Sequence, residues 1–350
     1  MRILVTGAAG FIGSAYVDLV LAGEPADRAD DVVALDALTY AGNPANLGHA
    51  AEHPRFSFVH GDIADAPLVD DLVRSCDAVV NFAAETHVDR SLADPAAFVR
   101  ANVAGVVALL DAVRRHGRRM VQVGTDEVYG DVPPGRFSAE TDCLRPRSPY
   151  AAAKAGGDLM CRAFVDSHGA EVLVTRGCNT IGPRQHPEKL VPLFVTNALR
   201  DQPLPVYGDG RQVRDWLHVD DHAAAVDLVL RRGRQGETYN VGAGGGRPNL
   251  EVARAILSRL GKPESLIAHV TDRPGHDRRY ALDWRKIRDE LGWTPTRGAD
   301  RTLRDTIDWY VAHPEWWEPI RDDDAAFAAY YERQYGPRLA RAGAGKADES

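Results

Sequence analysis

Tyr150 and Lys154 stand four residues apart in the run Y-A-A-A-K, with Thr125-Asp126-Glu127 upstream of them. Residues four apart in a helix are surface neighbours, so this phenol and this ammonium share one helix face. A phenol with an ordinary pKa of about 10 is a poor base at neutral pH until a nearby cation favours its anion. The pair therefore suits removal of a proton from a hydroxyl undergoing oxidation. The two adjacent carboxyls add a second acid/base pair, for which simple alcohol dehydrogenation has no use.

These groups need a scaffold that brings them to one edge. Short apolar runs at Ile3–Val5, Val32–Leu35, Phe56–Val59, Ala78–Asn81 and Met120–Val123 predict strands. Helical patterns over 12–23, 66–75 and 96–116 lie between several of them, and Glu171–Thr175 and Glu237–Val241 predict two further strands. Near-continuous apolar strands alternating with helices predict an α/β fold, a doubly wound parallel Rossmann sheet covered on both faces. Ligands of such sheets collect at the carboxyl ends of the strands, where Thr125-Asp126-Glu127 arrives directly after Met120–Val123. Tyr150 opens a later helix behind Arg147-Ser148-Pro149.

Between the first strand and the first helix lies Gly7-x-x-Gly10-x-x-Gly13, one residue longer than the usual dinucleotide fingerprint. Glycines there permit a tight turn and let a pyrophosphate approach backbone N–H groups at a helix N-terminus. Asp36 closes the second strand, where an acid can bind the adenosine ribose diol. It would repel a 2′-phosphate, and Ala37 follows it in place of an arginine, so NAD is expected over NADP. Gly61-Asp62-Ile63 offers a carboxylate for the adenine edge and an apolar face, although an aspartate there equally suits a helix cap.

Composition sets outer bounds. The 350 residues carry 42 basic and 50 acidic side chains, a net charge of −8, which argues against nucleic acid as the main partner. Only five of the basic residues are lysine, so Lys154 and Lys189 stand out. Cys76, Cys143, Cys161 and Cys178 are widely spaced, reading as reduced thiols and not as a disulfide framework or a metal site. Strand residues begin at once after Met1, and no apolar run approaches the roughly 18 residues of a membrane span. A cytoplasmic protein with no metal and no membrane partner is expected.

With these motifs in hand, the chain resembles the extended short-chain dehydrogenase/reductase superfamily, and within it the dTDP-glucose 4,6-dehydratase family, over roughly residues 1–335. The resemblance rests on Thr6–Gly13, Asp36–Gly42, Ala83–Ser91, Thr125–Gly130, Tyr150–Lys154, Pro187–Leu190, Val206–Gly210, Arg214-Asp215-Trp216 and Asp272–His276. The Asp-Glu after the threonine is its dehydratase-specific part, since related epimerases generally carry small residues there. Ala101 in place of a threonine, Thr180-Ile181 in place of Asn-Tyr, and Gly244–Pro248 depart from the family pattern.

The resemblance implies Thr125, Asp126, Glu127, Tyr150 and Lys154 as catalytic residues. It implies that NAD is held by Gly7, Gly10, Phe11, Ile12, Gly13, Asp36, Leu38, Thr39, Asp62, Ile63, Ala83 and Ala84, with Tyr150 and Lys154. A nucleotide-diphosphate sugar, dTDP-glucose foremost, is implied to meet Thr86, Asn179, Lys189, Leu190, Pro205, Tyr207, Arg214, Asn249, Arg273 and His276. The alternatives are a 4,6-dehydratase of a UDP-, CDP- or GDP-linked sugar and, further off, a 4-epimerase or decarboxylase. A non-catalytic NAD sensor has no reason to keep all four titratable groups in register. A homodimer is implied, paired through helices including the one from Tyr150 past Cys161. Residues 1–175 with about 213–242 are expected to form the NAD-binding domain. A smaller, mostly C-terminal substrate-binding domain takes about 176–212 and 243–335, and 336–350 a flexible tail.

Overall fold

The computed structural model describes residues 1–23 and 29–347. Seven strands make one sheet: β1 (Arg2–Thr6), β2 (Asp31–Asp36), β3 (Phe56–His60), β4 (Ala78–Asn81), β5 (Arg119–Thr125), β6 (Val172–Gly177) and β7 (Thr238–Val241). Their order is β7-β6-β5-β4-β1-β2-β3, and every pairing is parallel. The winding direction reverses between β1 and β4, which opens a crevice at the carboxyl ends of those strands. Interior strands are buried on both faces and so read as unbroken apolar runs, as in Ala78–Asn81. At the edge, β3 exposes Ser57 and Phe58.

The main helices are α1 (Phe11–Ala22), α2 (Ala66–Ser75), α3 (Pro95–His116), α4 (Pro149–His168), α5 (Leu190–Leu199), α6 (Val219–Arg232), α7 (Asn249–Leu260), α8 (Ala299–Ala312), α9 (Pro314–Asp322) and α10 (Ala325–Ala347). One face of the sheet is covered by α1 and α6, through Tyr16, Val17, Ala223 and Val226. The other face takes α2, α3 and α4, through Val69, Val73, Leu109, Leu110 and Cys161. A separate core holds Phe194, Ile256, Ile307, Tyr310, Trp317 and Tyr330 from α5, α7, α8, α9 and α10, with Trp216 from the short strand Trp216–His218. Leu282, Ile287, Leu291 and Trp293 pack instead into the sheet-side core.

Two expectations change. The run Pro95–His116 is a continuous helix of 22 residues whose most apolar 18-residue window has a mean hydropathy of 1.7, long and apolar enough by composition to cross a bilayer. Arg100, Asn102 and Gly105 break its apolar run in sequence, although the average over the window stays high. It serves here as a core helix: Phe98, Val106, Leu109, Leu110 and Val113 are buried. Residues 336–347, expected within a flexible tail, are helical, because α10 continues to Ala347. Residues 348–350 lie outside the described residues.

Candidate active site

Strand β5 runs two residues further than its apolar core, to Thr125, and a single 3-10 turn over Asp126–Tyr129 follows. The Thr125 hydroxyl caps that turn by accepting the Glu127 N–H at 3.3 Å, and it donates to Asp126 Oδ1 at 3.3 Å. Opposite, Ser148 caps α4 by accepting the Ala151 N–H at 3.1 Å, with Pro149 at the first helical position. That start fixes Tyr150 and Lys154 on the buried face of α4. Lys154 Nζ donates to the Val123 carbonyl at 2.7 Å, joining the helix to the same strand.

A cleft of about 480 Å³ runs along the carboxyl edge of the sheet. One end is the glycine turn: Gly7, Gly10, Phe11, Ile12 and Gly13 line it, with Asp36 and Thr39 beside them. Gly7 adopts φ 66°, and a Cβ there would lie 2.5 Å from the Ala83 nitrogen. The turn therefore tolerates no side chain and presents bare backbone at the N-terminus of α1, the cradle a dinucleotide pyrophosphate needs. Asp36 accepts N–H bonds from Ala9 at 2.9 Å and Leu38 at 2.8 Å, so the same carboxylate also braces the turn. Asp62, Ile63, Ala83, Ala84 and Thr86 also line the cleft, as do Thr125, Asp126, Glu127, Tyr150, Lys154, Asn179 and Lys189. Asp62 additionally pairs with Arg100 at 2.8 Å.

Not every expected residue faces this cleft. Leu38 sits at φ 49° and packs toward the sheet-side core, leaving Ala37 and Thr39 as lining. Leu190 starts α5 and packs on the second core. Pro205, Tyr207, Arg214, Asn249, Arg273 and His276 do not line the cleft itself; Arg214 and Arg273 adjoin its catalytic end, acting electrostatically on Asp126 and Glu127, and several of the six form a network of their own. Tyr207 donates to Asp89 at 2.9 Å, Asp89 pairs with Arg273 at 3.5 Å, and the His276 ring lies edge-on to Tyr207. Arg214 donates to the Asp277 carbonyl at 2.9 Å and stacks over the Tyr280 ring at 4.0 Å. The buried Asn249 Oδ1 and Arg273 Nε have no partner among the described residues.

The electrostatics separate the two adjacent carboxyls. Burial, then the charge of Glu127, holds the Asp126 carboxyl well above the ordinary carboxylate range, and its Oδ2 is buried without a partner. Burial, then Glu127, likewise pushes the Tyr150 phenol up, with the Thr125 hydroxyl acting against them. Burial lowers Lys154, and Asp158 opposes it. Lys189 is also lowered by burial, its ammonium donating to the Thr86 carbonyl at 2.7 Å.

The departures in sequence have local partners. Thr180 Oγ1 meets His222 Nδ1 at 2.8 Å, and burial lowers that imidazole to about 4. Asp215 accepts N–H bonds from Ala243, Gly244 and Gly245, each at 2.8 Å, so the glycine-rich stretch wraps a carboxylate. Ala101 lines the cleft.

A family model described as GDP-mannose 4,6 dehydratase matches residues 4–306. A dTDP-glucose 4,6-dehydratase of Streptomyces niveus is 50% identical over 328 residues, covering 93% of this chain and 97% of its own. The chain belongs to the dTDP-glucose 4,6-dehydratase family. The low-salt glycan biosynthesis protein Agl12 of Haloferax volcanii is also 50% identical, over 90% of this chain and 100% of its own. The crystal structure of DesIV, a dTDP-glucose 4,6-dehydratase from Streptomyces venezuelae with NAD and dTDP bound, matches with a TM-score of 0.89. Its identity is 50%, over 91% of this chain and all of that one.

Three residues of this family member's site escaped the sequence reading. Tyr280 places its hydroxyl 3.4 Å from Glu127 Oε2 and donates to Asp277 Oδ2 at 2.8 Å. Glu188 lines the cleft and pairs with Arg90, whose guanidinium covers the Tyr40 ring at 4.0 Å. Gln334 of α10 donates to the Tyr207 hydroxyl at 2.6 Å. Glu188 lay within a quoted motif and was legible. Tyr280 and Gln334 stand far from any catalytic residue in sequence and gave no local signal.

Proposed function

We propose that this enzyme converts dTDP-glucose into dTDP-4-keto-6-deoxyglucose, using NAD within each turnover. The observation that carries the reading is the Asp126–Glu127 pair at the end of β5, one carboxyl buried and its affinity for a proton raised by that burial and by the charge of the other. Removing water across two adjacent carbons needs one acid and one base side by side.

The glycine turn, Asp36 and the Ile63 pocket fit NAD, which supplies an acceptor for the C4 hydride and its return at C6. Tyr150 takes the 4-hydroxyl proton, and Thr125 donates to the 4-oxygen. The ketone so formed acidifies C5–H. Glu127 removes that proton while Asp126 donates to the departing 6-oxygen, and Glu127 later returns a proton to C5. Lys154 supports the Tyr150 anion, offsetting the upward push of burial and Glu127 on the phenol.

Lys189, Arg214, Arg273, Asn179 and Asn249 are proposed to hold the nucleotide diphosphate. The free acceptor of Asn249 and the free Nε of Arg273 support this, because buried polar atoms in a native fold normally have partners. The domain division is retained as proposed, with 282–293 moved to the NAD-binding side by their packing. A second copy of the chain is the proposed partner: Leu92, Val99 and Leu159 are exposed on 88–93, α3 and α4. The reducing cytoplasm is the proposed compartment for a chain with four unpaired thiols.

Purified enzyme incubated with dTDP-glucose, and in parallel with UDP-, GDP- and CDP-glucose, is expected to give the alkali-induced absorbance of a 4-keto sugar chiefly with the first. No ketone from any of them sinks the reading. A ketone from another nucleotide sugar alone leaves the chemistry standing and overturns the thymidine assignment.

A further inference from the structure

Asp158 stands one turn beyond Lys154 on α4, fully buried, and no step of the proposed reaction uses it. Its Oδ2 accepts from Arg176 Nε of β6 at 3.0 Å. Arg176 reaches on with Nη1 to the Tyr129 hydroxyl at 2.8 Å, its guanidinium 4.9 Å over that ring. Tyr129 donates onward to Asn240 Oδ1 of β7 at 2.8 Å. The same Asp158 carboxylate lies against Gly124, where a Cβ would meet Oδ1 at 3.2 Å and Oδ2 at 3.4 Å. Asp158 and Arg176 thus touch both ends of the segment that carries Thr125, Asp126 and Glu127. Asp158 Oδ1 has no hydrogen-bond partner among the described residues, so one oxygen remains toward which a neighbouring cation is drawn.

We propose that Asp158 is a positioning residue, the fixed counter-ion that keeps Lys154 an ammonium and, through Arg176 and Tyr129, clamps the Thr125–Tyr129 turn in register with Tyr150. The inference rests on the reading of Tyr150 and Lys154 as the base and its supporting cation. A lysine sealed in the fold tends to shed its proton. On its own helix it faces Asp158 and Cys161, the thiol itself pushed up by burial, and from β5 it faces only the Val123 carbonyl. Asp158 is faced by Arg176 and Lys154, Tyr129 by Arg176 and Glu140, and Tyr150 by Glu127, Asp126 and Tyr40. Asp158 stands four residues, or about 6 Å of helix rise, beyond Lys154 and about 12 Å along the axis from Tyr150.

The sign of one pH shift tests this. In Asp158→Asn holoenzyme, Lys154 loses its counter-ion, gives up its proton more readily, and ceases to favour the Tyr150 anion. The basic limb of kcat/KM for dTDP-glucose, above which Lys154 is neutral, then moves to lower pH by about one unit, with activity above that limb falling about tenfold. A role through packing alone lowers kcat/KM equally at every pH. A direct loss of one negative charge near Tyr150 moves the acid limb down and leaves the basic limb in place. Either result overturns the proposal, as does an unmoved limb.

Asp158→Glu keeps the charge and restores the wild-type limb. If Asp158→Asn fails to fold because Arg176 is left bare, the double variant D158N/R176Q removes both charges and must still move the basic limb down, by less because the lost cation partly offsets the lost anion. Tyr150→Phe run alongside separates the layers. If Tyr150→Phe still oxidises C4, the base assignment itself fails. If it does not, while the Asp158→Asn limb stays put, only the present inference falls.

Discussion

The Tyr280 hydroxyl lies 3.4 Å from Glu127 Oε2, joining the 272–280 turn to the carboxyl proposed to work at C5. Its better hydrogen bond goes to Asp277, at 2.8 Å, so the contact with Glu127 is one of placement more than of strong bonding. Arg214 stacks on the same ring at 4.0 Å, which links the placement of Glu127 to a residue proposed to hold the diphosphate. Tyr280→Phe keeps the ring and the stacking and removes the hydroxyl. It is expected to lower kcat about tenfold, the scale of one hydrogen bond to a charged group, with NAD content unchanged. Single-turnover mixing then shows C4 oxidation near the wild-type rate and slower exchange of C5–H with deuterated solvent. Equal slowing of both steps counts against a role at Glu127.

Glu127→Gln removes the proposed base and keeps its size. NADH still accumulates on mixing with dTDP-glucose, because C4 oxidation calls on Tyr150 and Thr125. Deuterium incorporation at C5 is lost. Exchange at the wild-type rate means that another group is the base.

Asp126→Asn exposes a trade between function and stability. The folded state holds the Asp126 proton more tightly than the unfolded chain, because burial and Glu127 both raise it. Unfolding free energy therefore falls as pH rises from the ordinary carboxyl value toward the raised folded one, and it stays lower above that. The amide carries no such penalty. Asp126→Asn is thus expected to melt higher than wild type at pH 8, by about 2–4 °C for each kcal/mol relieved, while kcat drops by about 10²–10⁴. Calorimetry with a turnover assay on the same samples decides it, and a lower melting temperature at pH 8 contradicts the buried-acid account.

What could be read in advance follows from how locally each signal is written. The Tyr150–Lys154 face, the Ser148 cap and the glycine turn are set by spacing within a few residues, and the structure places each as expected. Sheet strands were legible because burial on both faces leaves unbroken apolar runs. Leu38 packs on the sheet-side core at a φ of 49°, a backbone event with no mark in residue type. The reach of α10 beyond residue 335, where Arg338 covers the Tyr207 ring at 5.5 Å, was missed because Ala-Gly-rich residues near the chain end resemble a tail in composition. Asp158 stood in plain view four residues after Lys154, yet its importance depends on Arg176, which only the pairing of β5 with β6 brings beneath it.

The buried histidines predict an acid sensitivity separate from catalysis. Burial first, with nearby cations adding in three of the four, lowers His87 and His186 to about 3 and His222 and His276 to about 4. In the unfolded chain each titrates near 6.5. Between those values the unfolded state binds more protons than the folded one, so their contribution is fully present above pH 6.5 and is lost as pH falls toward 4. Each such group costs about 1.4 kcal/mol per pH unit through that window. Urea unfolding is expected to show stability dropping by several kcal/mol from pH 7 to pH 5, with protons taken up on unfolding at pH 5.5. His87 is the sharpest single test, because its ring nitrogen lies 3.2 Å from the Glu188 carbonyl and its edge meets Tyr330. His87→Gln, an uncharged replacement that can still donate to that carbonyl, should flatten the slope by about one proton. An unchanged slope means that His87 is protonated in the folded enzyme.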